Sequence, residues 1–335
     1  MAQREFPLRM VAWELTRNCN LNCIHCRAAA SQGPHKGELD TSECKKIFDD
    51  IASFSSPTII LTGGEPLLRD DIFEIIDYGS AKGLRLVMAI NGTLLDREKA
   101  LRLKQAGIRR ISISLDGKDK EKHDRFRGVE GSFDAVMHAS SILTEVGLDF
   151  QINTTVTGLN AYDLEEIKGL VKNIGASAWH VFMLVPVGRG EGFKGKELGA
   201  EEYERCLEWL YSIEERKELE IKVTCAPHYY RIVKERGGVP ASAGCLAGKS
   251  FMFISHRGIA QPCGYLEIPS GNVMEEGVKR VWEDSHIFKQ LRDLRAYKGK
   301  CSRCRYLSIC GGCRARAYET AGDFLHEEPY CSYKT

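Results

Sequence analysis

The sequence has no apolar run long enough to cross a bilayer, since the longest such stretch, residues 178–188, is about half as long as a membrane-spanning helix. It also lacks an excess of either charge, because 47 Lys and Arg against 46 Asp and Glu leave a formal net charge of +1. This balance argues against a protein that binds nucleic acid through bulk positive charge. Residues 1–6 show neither the apolar region nor the cleavage site of a secretory signal. Together these absences predict a cytoplasmic protein with no membrane span and no nucleic-acid partner.

Cysteine is the residue type that departs from an ordinary composition, with 13 among 335 residues. The count is odd, and the chain is long enough to bury a core of its own. We therefore expect metal or redox chemistry rather than a disulfide scaffold. Two of the cysteines, Cys44 and Cys206, are isolated in helical patterns and are predicted to be buried packing residues. The other cysteines fall into a first group of Cys19, Cys23 and Cys26 and a second group of Cys225, Cys245, Cys263, Cys301, Cys304, Cys310, Cys313 and Cys331.

The first half of the chain alternates between strand and helix patterns. Apolar runs typical of buried parallel strands are found at residues 9–16, 57–62, 84–90, 109–115, 148–156 and 178–185. Helical periodicities lie between them, and the first of these begins with a capping pair, Asp40 and Glu43. This alternation predicts parallel strands joined by right-handed crossovers. Because the units are too few for a closed eight-unit barrel, we expect an α/β fold with a partial (β/α)6 TIM-like barrel.

Three regions are predicted along the chain. Residues 1–190 form the partial barrel, and residues 191–236 form a connecting helix, at residues 201–217, with a bridging segment. Residues 237–335 are irregular in pattern and rich in glycine, proline and cysteine. Since such a segment buries little core, we expect a Cys-rich domain with little regular structure that depends on metal for its order.

Polar segments follow the predicted strands of the barrel. Those after the first four strands are residues 16–26, Gly63-Gly64-Glu65-Pro66, Asn91 and Asp116. Ligands of parallel sheets bind at the carboxyl ends of the strands. We therefore expect these segments to form one site.

The spacing Cys19-x3-Cys23-x2-Cys26 places three thiolates on one short loop. A structural zinc site needs four protein ligands, and a cubane iron–sulfur cluster needs a ligand for each of its four irons. Three thiolates can hold three irons of a cubane and leave the fourth open to a substrate-like ligand. The loop therefore favours an open iron–sulfur cluster over a closed zinc site.

This loop after a first strand resembles the signature of radical S-adenosylmethionine (SAM) enzymes. The resemblance implies that the open iron of a [4Fe–4S] cluster binds SAM and that an electron from the cluster cleaves SAM to a 5′-deoxyadenosyl radical. It also implies that Glu65 meets the SAM ammonium and that Arg127 pairs with the SAM carboxylate. His25 is then expected beside the adenine, and Ser114 and Asp116 beside the ribose. The complete SAM-binding set that the resemblance implies is His25, Gly63, Gly64, Glu65, Pro66, Asn91, Ser114, Asp116, Arg127, Asn153 and Thr155.

The C-terminal cysteines resemble the SPASM extension of such enzymes, which implies two auxiliary [4Fe–4S] clusters and three clusters in all. One gap, Cys310-x2-Cys313, is a residue shorter than in many SPASM proteins. Three cubanes need twelve ligands. SAM would supply one of them, and the eleven cysteines other than Cys44 and Cys206 would supply the rest. A zinc ribbon on residues 301–313 is the alternative. The resemblance implies Cys245, Cys263, Cys313 and, to complete the ligand count, Cys225 for auxiliary cluster I, and Cys301, Cys304, Cys310 and Cys331 for auxiliary cluster II.

Residues 179–188, 224–231 and 310–318 resemble the tetrapyrrole branch of these enzymes, and in particular the radical SAM haem synthases. The resemblance implies oxidative decarboxylation of two propionates of Fe-coproporphyrin III to vinyl groups, which gives haem b. It also implies a low-potential electron donor of the ferredoxin or flavodoxin type. A tetracarboxylate substrate favours cationic and phenolic partners. The candidates for them are Arg189, His228, Tyr229, Arg231, Arg314 and Arg316.

Other functions remain open at this point. A related enzyme of haem d1 formation or didecarboxysirohaem processing would carry the same cysteine groups, but such enzymes usually have a longer segment before the first cysteine. A SPASM maturase that acts on peptides is a further alternative, although no peptide-recognition domain precedes the predicted barrel. An electron-carrying polyferredoxin would need neither the barrel nor residues 63–66.

Overall fold

The computed structural model describes residues 6–195, 197–240 and 244–335. Seven parallel strands follow one another in chain order across the sheet, and the six predicted strands are the first six of them. These strands are β1 (Met10–Glu14), β2 (Thr58–Thr62), β3 (Arg85–Ile90), β4 (Ile111–Ser114), β5 (Phe150–Val156), β6 (Ala178–Met183) and β7 (Glu220–Thr224). The helices between and after them are α1 (Thr41–Phe54), α2 (Ile72–Ala81), α3 (Arg97–Gln105), α4 (Lys120–Arg127), α5 (Ser132–Val146), α6 (Leu164–Asn173), α7 (Ala200–Glu215) and α8 (Tyr229–Glu235). The α/β barrel-like fold is confirmed.

The helices pack against the outer face of the sheet through apolar stripes. Helix α1 begins at the predicted capping box, in which Glu43 donates its backbone N–H to Asp40 Oδ1 at 2.8 Å and accepts from the Asp40 backbone at 2.9 Å. Its buried side chains include Phe48, whose ring lies 5.2 Å from that of Trp13 in β1. Such contacts fix the ends of the strands, where the polar loops begin.

The C-terminal third contributes short elements: β8 (Phe251–Ile254), β9 (Ile259–Gln261), β10 (Gly271–Asn272), α9 (Val273–Glu276), α10 (Val278–Asp284), α11 (His286–Arg292), α12 (Gly299–Ser302) and α13 (Arg314–Ala321). Strand β8 pairs in parallel with β1, so that Met10 lies opposite Phe251. Strands β9 and β10 continue this edge in antiparallel pairing. The ten strands therefore form one sheet in the order β10-β9-β8-β1-β2-β3-β4-β5-β6-β7. Neither β7 nor β8 was predicted from the sequence, and these two strands extend the six predicted strands on either side.

No helix within the described ranges is long and apolar enough to span a bilayer.

Candidate active site and auxiliary cluster centres

The loop that follows β1 brings the first three cysteines together. Cys19 and Cys23 are buried and Cys26 is half-buried, and all three are free thiols. Cys19 donates its backbone N–H to Ser31 O at 3.1 Å, and Cys26 donates to Cys23 O at 3.3 Å. Burial raises the pKa of Cys19 to about 11. A positively charged metal centre would keep that thiol ionised, so the donor set fits an iron–sulfur cluster.

The Gly63–Pro66 segment lies directly against this loop. Gly64 donates to Thr16 O at 2.7 Å, and Glu65 donates to Asn18 O at 2.8 Å. A side chain at position 64 is excluded, because its Cβ would stand 2.8 Å from Cys19 Cβ. The glycine therefore permits the close approach of the two loops.

Glu65 is a buried carboxyl group beside the cysteine loop. It accepts backbone N–H bonds from Asn91 at 2.7 Å and Leu67 at 3.0 Å. Within the part of the chain that the structure describes, no Lys, Arg or His side chain pairs with it, and burial raises its pKa to about 7. Such a group fits the ammonium of SAM, because a cation would restore its ionised form.

The ends of β4 and β5 place an ion pair beside Cys23. Asp116 and Arg127 form a short buried ion pair, and Thr155 donates its backbone N–H to Asp116 Oδ1 at 2.6 Å. Arg127 Nη1 also donates to Cys23 Sγ at 3.6 Å. Asp116 is thus bonded to two protein partners, and its expected contact with the ribose stays a prediction. Ser114, the last residue of β4, is in register with Asn153 of β5.

The remaining expected SAM contacts lie at the same end of the sheet. The ring of His25 lies 4.5 Å from that of Phe126, and its Nδ1 is buried without a hydrogen-bond partner among the described residues. Burial first, and then the charges of Arg127 and Arg189, lower the pKa of His25 well below its usual value. The ring is therefore neutral. Asn91 donates its side-chain amide to Asn20 Oδ1 at 2.8 Å, which ties β3 to the cysteine loop.

A second group of cysteines lies between β7 and the C-terminal segment. Cys225, Cys263 and Cys313 pack into one apolar cluster with Val185 and Leu266. Burial first, and then the neighbouring Cys313, Cys263 and Cys245, raise the pKa of Cys225 well above its usual value. Cys225 also has a left-handed backbone with a φ of 61°. Strain of this kind persists where the surroundings hold a residue in place, and it is frequent at functional sites.

A third group lines a small, partly open cavity beside the C-terminal segment. Burial, and then the nearby Cys331 and Cys301, raise the pKa of Cys310. The cysteines that line this cavity are Cys301, Cys304, Cys310 and Cys331.

Four of the six predicted substrate ligands are arginines, and all four have partners within the chain. Arg189 donates from Nε to Cys23 O and from Nη1 to Ala30 O, each at 2.8 Å. Arg231 forms ion pairs with Glu204 and Glu235 at 2.5 and 2.6 Å. In these contacts the guanidinium groups of Arg189 and Arg231 stabilise the cysteine loop and α8. That they bind substrate carboxylates stays a prediction.

The other four predicted substrate ligands are also buried within the protein. Arg314 donates to backbone carbonyls, and Arg316 pairs with Glu328 at 3.2 Å. Tyr229 donates to Glu214 in a short hydrogen bond. His228 is fully buried with its ring stacked 4.8 Å from that of Tyr203. Substrate binding by these four residues stays a prediction, and both ring nitrogens of His228 are buried without a hydrogen-bond partner among the described residues.

A charged group that was not predicted from the sequence joins the cysteine loop to the C-terminal segment. Glu14, at the end of β1, is fully buried and pairs with Arg27 at 3.1 Å, Arg17 at 3.1 Å and His256 at 2.7 Å. Arg27 lies over the ring of Phe253 at 4.4 Å and donates to Gly264 O at 3.4 Å. The position of a carboxylate at the end of the first strand was the signal that could have revealed this group.

Two family models match this chain. The model described as the radical SAM superfamily matches residues 13–174, and the SPASM model, described as an iron–sulfur cluster-binding domain, matches residues 245–313. The chain belongs to the radical SAM superfamily and carries a SPASM iron–sulfur cluster-binding domain.

Among curated proteins, the chain is similar to the AdoMet-dependent heme synthase of Nitratidesulfovibrio vulgaris Hildenborough. They are 47% identical over 339 residues, which cover 97% of this chain and 92% of the relative. The AdoMet-dependent heme synthase of Methanosarcina barkeri Fusaro is 45% identical over 97% of both chains. Among solved structures, Streptococcus suis SuiB bound to S-adenosylmethionine matches with a TM-score of 0.77 at 19% identity, over 98% of this chain and 78% of that one. The last similarity concerns the fold alone.

Proposed function

We propose that this protein is a radical SAM haem synthase that converts Fe-coproporphyrin III to haem b. Two propionate side chains are oxidatively decarboxylated to vinyl groups, and two molecules of carbon dioxide are released. The observation that carries the proposal is the 47% identity to an AdoMet-dependent heme synthase over 97% of this chain. The loop of Cys19, Cys23 and Cys26, with the buried Glu65 beside it, supports the proposal.

Three [4Fe–4S] clusters are proposed. The first three cysteines would hold the SAM-binding cluster, and Cys225, Cys245, Cys263 and Cys313 would hold auxiliary cluster I. The four cysteines that line the small cavity would hold auxiliary cluster II. When bound, the first cluster and SAM together supply a 5′-deoxyadenosyl radical that abstracts hydrogen from a propionate, and an auxiliary cluster offers an acceptor for the electron that the substrate must lose.

The chain's own residues orient SAM and exclude water from it. Glu65 offers a buried carboxylate to the SAM ammonium, while Arg127 offers a guanidinium that is already positioned by Asp116. The neutral ring of His25 can lie against the adenine without introducing charge. Since these groups are held before SAM binds, little reorganisation is needed when it does.

The substrate position is proposed at the carboxyl end of the sheet, between the cysteine loop and the turn that follows Cys263. Tyr265 lies on that turn, and burial, together with the nearby Cys225 and Cys263, raises the pKa of its hydroxyl. A neutral phenol there can donate a hydrogen bond to a substrate carboxylate. We also propose that the chain is divided into residues 1–190, 191–236 and 237–335. The proposed electron donor is of the ferredoxin or flavodoxin type, and the proposed location is cytoplasmic.

Anaerobic reconstitution followed by turnover tests the proposal. The wild-type protein should bind about 12 irons and, with SAM and a low-potential reductant, convert Fe-coproporphyrin III to haem b through a monovinyl intermediate. The triple variant Cys19→Ala, Cys23→Ala, Cys26→Ala should keep about eight irons and form no 5′-deoxyadenosine. Mass spectrometry follows the loss of each carboxyl group. Unchanged porphyrin, with consumption of a peptide or another tetrapyrrole instead, would contradict the proposal.

A further inference from the structure

Helix α13 begins with two buried cations. Arg314 and Arg316 both lie in its first turn, and both have 0% of their surface exposed. The helix dipole disfavours positive charge at this end, and no acidic side chain occupies the first turn. Burial of a charge is costly unless an opposite charge accompanies it. Each guanidinium therefore requires a compensating anion.

Arg316 has its anion within the chain. Its Nη1 lies 3.2 Å from both carboxylate oxygens of Glu328, and its Nη2 donates to Leu184 O at 3.0 Å and Cys225 O at 3.1 Å. Glu328 in turn accepts the backbone N–H of Cys313 at 2.7 Å. The charge of Arg316 is therefore paired, although its buried Nε has no hydrogen-bond partner among the described residues, and the pair connects two segments that carry cysteines.

Arg314 has only neutral partners. Its Nη1 donates to the carbonyl oxygens of Phe324 and His326 at 3.0 and 2.6 Å, and its guanidinium lies 4.7 Å from the ring centre of Tyr297. Across residues 6–195, 197–240 and 244–335, no carboxylate forms an ion pair with it, and its buried Nη2 has no hydrogen-bond partner. The guanidinium charge of Arg314 thus has no counter-ion among the described residues, and its Nη2 has no acceptor.

The unsatisfied Nη2 of Arg314 lies near Cys301 of the third group of cysteines and near Glu328, whose carboxylate pairs with Arg316. A Cβ built on Gly312 would stand 2.5 Å from Arg314 Nη2 and 3.6 Å from Cys301 Sγ. The nitrogen and the sulfur therefore lie no farther apart than the sum of these distances, about 6 Å. Both Cys301 and Gly312 line the small cavity of the third group of cysteines.

We propose that Arg314 is the buried counter-cation of auxiliary cluster II, with Nη2 directed at a sulfur of that cluster. This inference rests on the proposed function, which places a [4Fe–4S] cluster on Cys301, Cys304, Cys310 and Cys331. Such a cluster with four thiolates is negatively charged, and it becomes more negative on reduction. A nearby cation and a charge-assisted hydrogen bond to sulfur therefore raise its reduction potential. Arg314 is a positioning and electrostatic residue for the electron acceptor, rather than a substrate ligand.

Arg314→Met and Arg314→Lys test this role, with Arg292→Met as the matched control. Arg292 also donates to backbone carbonyls, of Gly248 and Trp282 at 2.8 Å each, and lies 4.4 Å from the ring centre of Trp282, but it does not line the cavity. Redox titrations of the reconstituted proteins, followed by electron paramagnetic resonance without porphyrin, measure each cluster potential. Arg314→Met should shift the potential of one auxiliary cluster to more negative values and leave the other two unchanged. Arg314→Lys should restore part of that shift, and Arg292→Met should cause none.

Thermal unfolding gives a second readout. Loading with clusters should raise the unfolding midpoint of the Arg314→Met protein by less than that of the wild type, because the loaded protein no longer gains a charge pair. The Arg292→Met protein should show the same gain as the wild type.

Three unchanged potentials in a fully loaded Arg314→Met protein would overturn the inference, as would loss of the cluster from the Met and Lys variants alike. Loss from the Met variant alone would support it. A wild-type protein with only about eight irons would overturn both proposals, whereas unreacted porphyrin with about 12 irons would overturn only the proposed function.

Discussion

Glu14 and Arg27 form a buried ion pair with 3.1 Å between Oε2 and Nη2, where β1 ends and the cysteine loop turns back. Burial opposes ionisation of Glu14, but the hydrogen bond from His256 and the charges of Arg27 and Arg17 outweigh it and lower its pKa to about 2. Arg27 directly follows Cys26 and also donates to Gly264, next to Cys263. This one side chain therefore links the first cysteine loop to a ligand segment proposed for auxiliary cluster I.

Arg27→Met should separate SAM cleavage from substrate oxidation. The variant should form more 5′-deoxyadenosine per vinyl group than the wild type, because the two cluster segments lose their shared contact. Its free energy of unfolding should fall by about 3 kcal/mol, since Glu14 loses a buried partner. Liquid chromatography of both products measures the ratio.

Arg17→Met is the matched control, because Arg17 pairs with the same carboxylate from a more exposed position. It should leave the product ratio at the wild-type value. An equal rise of the ratio in both variants would contradict the linking role of Arg27.

The buried carboxyl group of Glu65 makes SAM binding depend on pH. Its pKa of about 7 means that SAM must displace a proton from Glu65 below pH 7, so the affinity should fall up to tenfold per pH unit on acidification and stay constant at higher pH. Calorimetry of the cluster-loaded protein in two buffers of different ionisation enthalpy measures affinity and proton release. Glu65→Gln should bind SAM weakly at every pH, and a pH-independent wild type would refute this role.

The same shift has a consequence for stability. The folded protein favours protonated Glu65, so its contribution is fully present below the ordinary pKa of 4.5 and is lost as the pH rises to about 7. The free energy of unfolding of the SAM-free wild type should therefore decline across this window relative to that of Glu65→Gln. Parallel curves for the two proteins would contradict the assignment.

Two substitutions of Cys225 separate its proposed role as a cluster ligand from the strain of its left-handed backbone. Cys225→Ala and Cys225→Gly should each lose about four irons if the thiol binds auxiliary cluster I. In the metal-free protein, the glycine variant should be more stable than the alanine variant by about 1 kcal/mol, because glycine adopts a positive φ without strain. Iron analysis and chemical denaturation give the two values. Full iron content in both variants would exclude Cys225 as a ligand.

Substitutions of Asp116 and Arg127 should have non-additive effects on the free energy of unfolding. Arg127→Met alone should lower the free energy of unfolding of the metal-free protein by about 3–5 kcal/mol, because it leaves a buried carboxylate unpaired. Addition of Asp116→Asn should restore part of that loss. A double-mutant cycle measures the coupling, and additive effects of the two substitutions would show that the residues act independently.

The first six strands were predictable because each is a continuous apolar run flanked by helical patterns. Strand β7 has only five residues with alternating exposure, and β8 has four within a segment that has no clear period. Strand β7 pairs with β6, and β8 pairs with β1. These pairings depend on the three-dimensional arrangement of the barrel, which a local pattern does not contain. Local sequence therefore gave no signal for them.

The cysteine groups were also readable from spacing, whereas the partners of the arginines were not. Arg316 donates to carbonyl oxygens 132 and 91 positions away in the chain, at Leu184 and Cys225. Sequence can indicate that a cation stands beside cysteines, but it does not say whether a substrate carboxylate or a distant backbone carbonyl meets it. This is why the arginines were predicted to bind substrate when the structure pairs them internally.

The parallel pairing of β8 with β1 limits how this protein can be divided. A truncated barrel that lacks the C-terminal third would expose the backbone of Met10–Glu14 as an open edge, which favours aggregation. Exchange of the auxiliary domain with that of another enzyme would have to retain Phe251–Ile254 and its register to keep this edge covered. Chimeras that vary substrate or redox behaviour should therefore be joined after Ile254, within the shared sheet, rather than at the boundary suggested by composition.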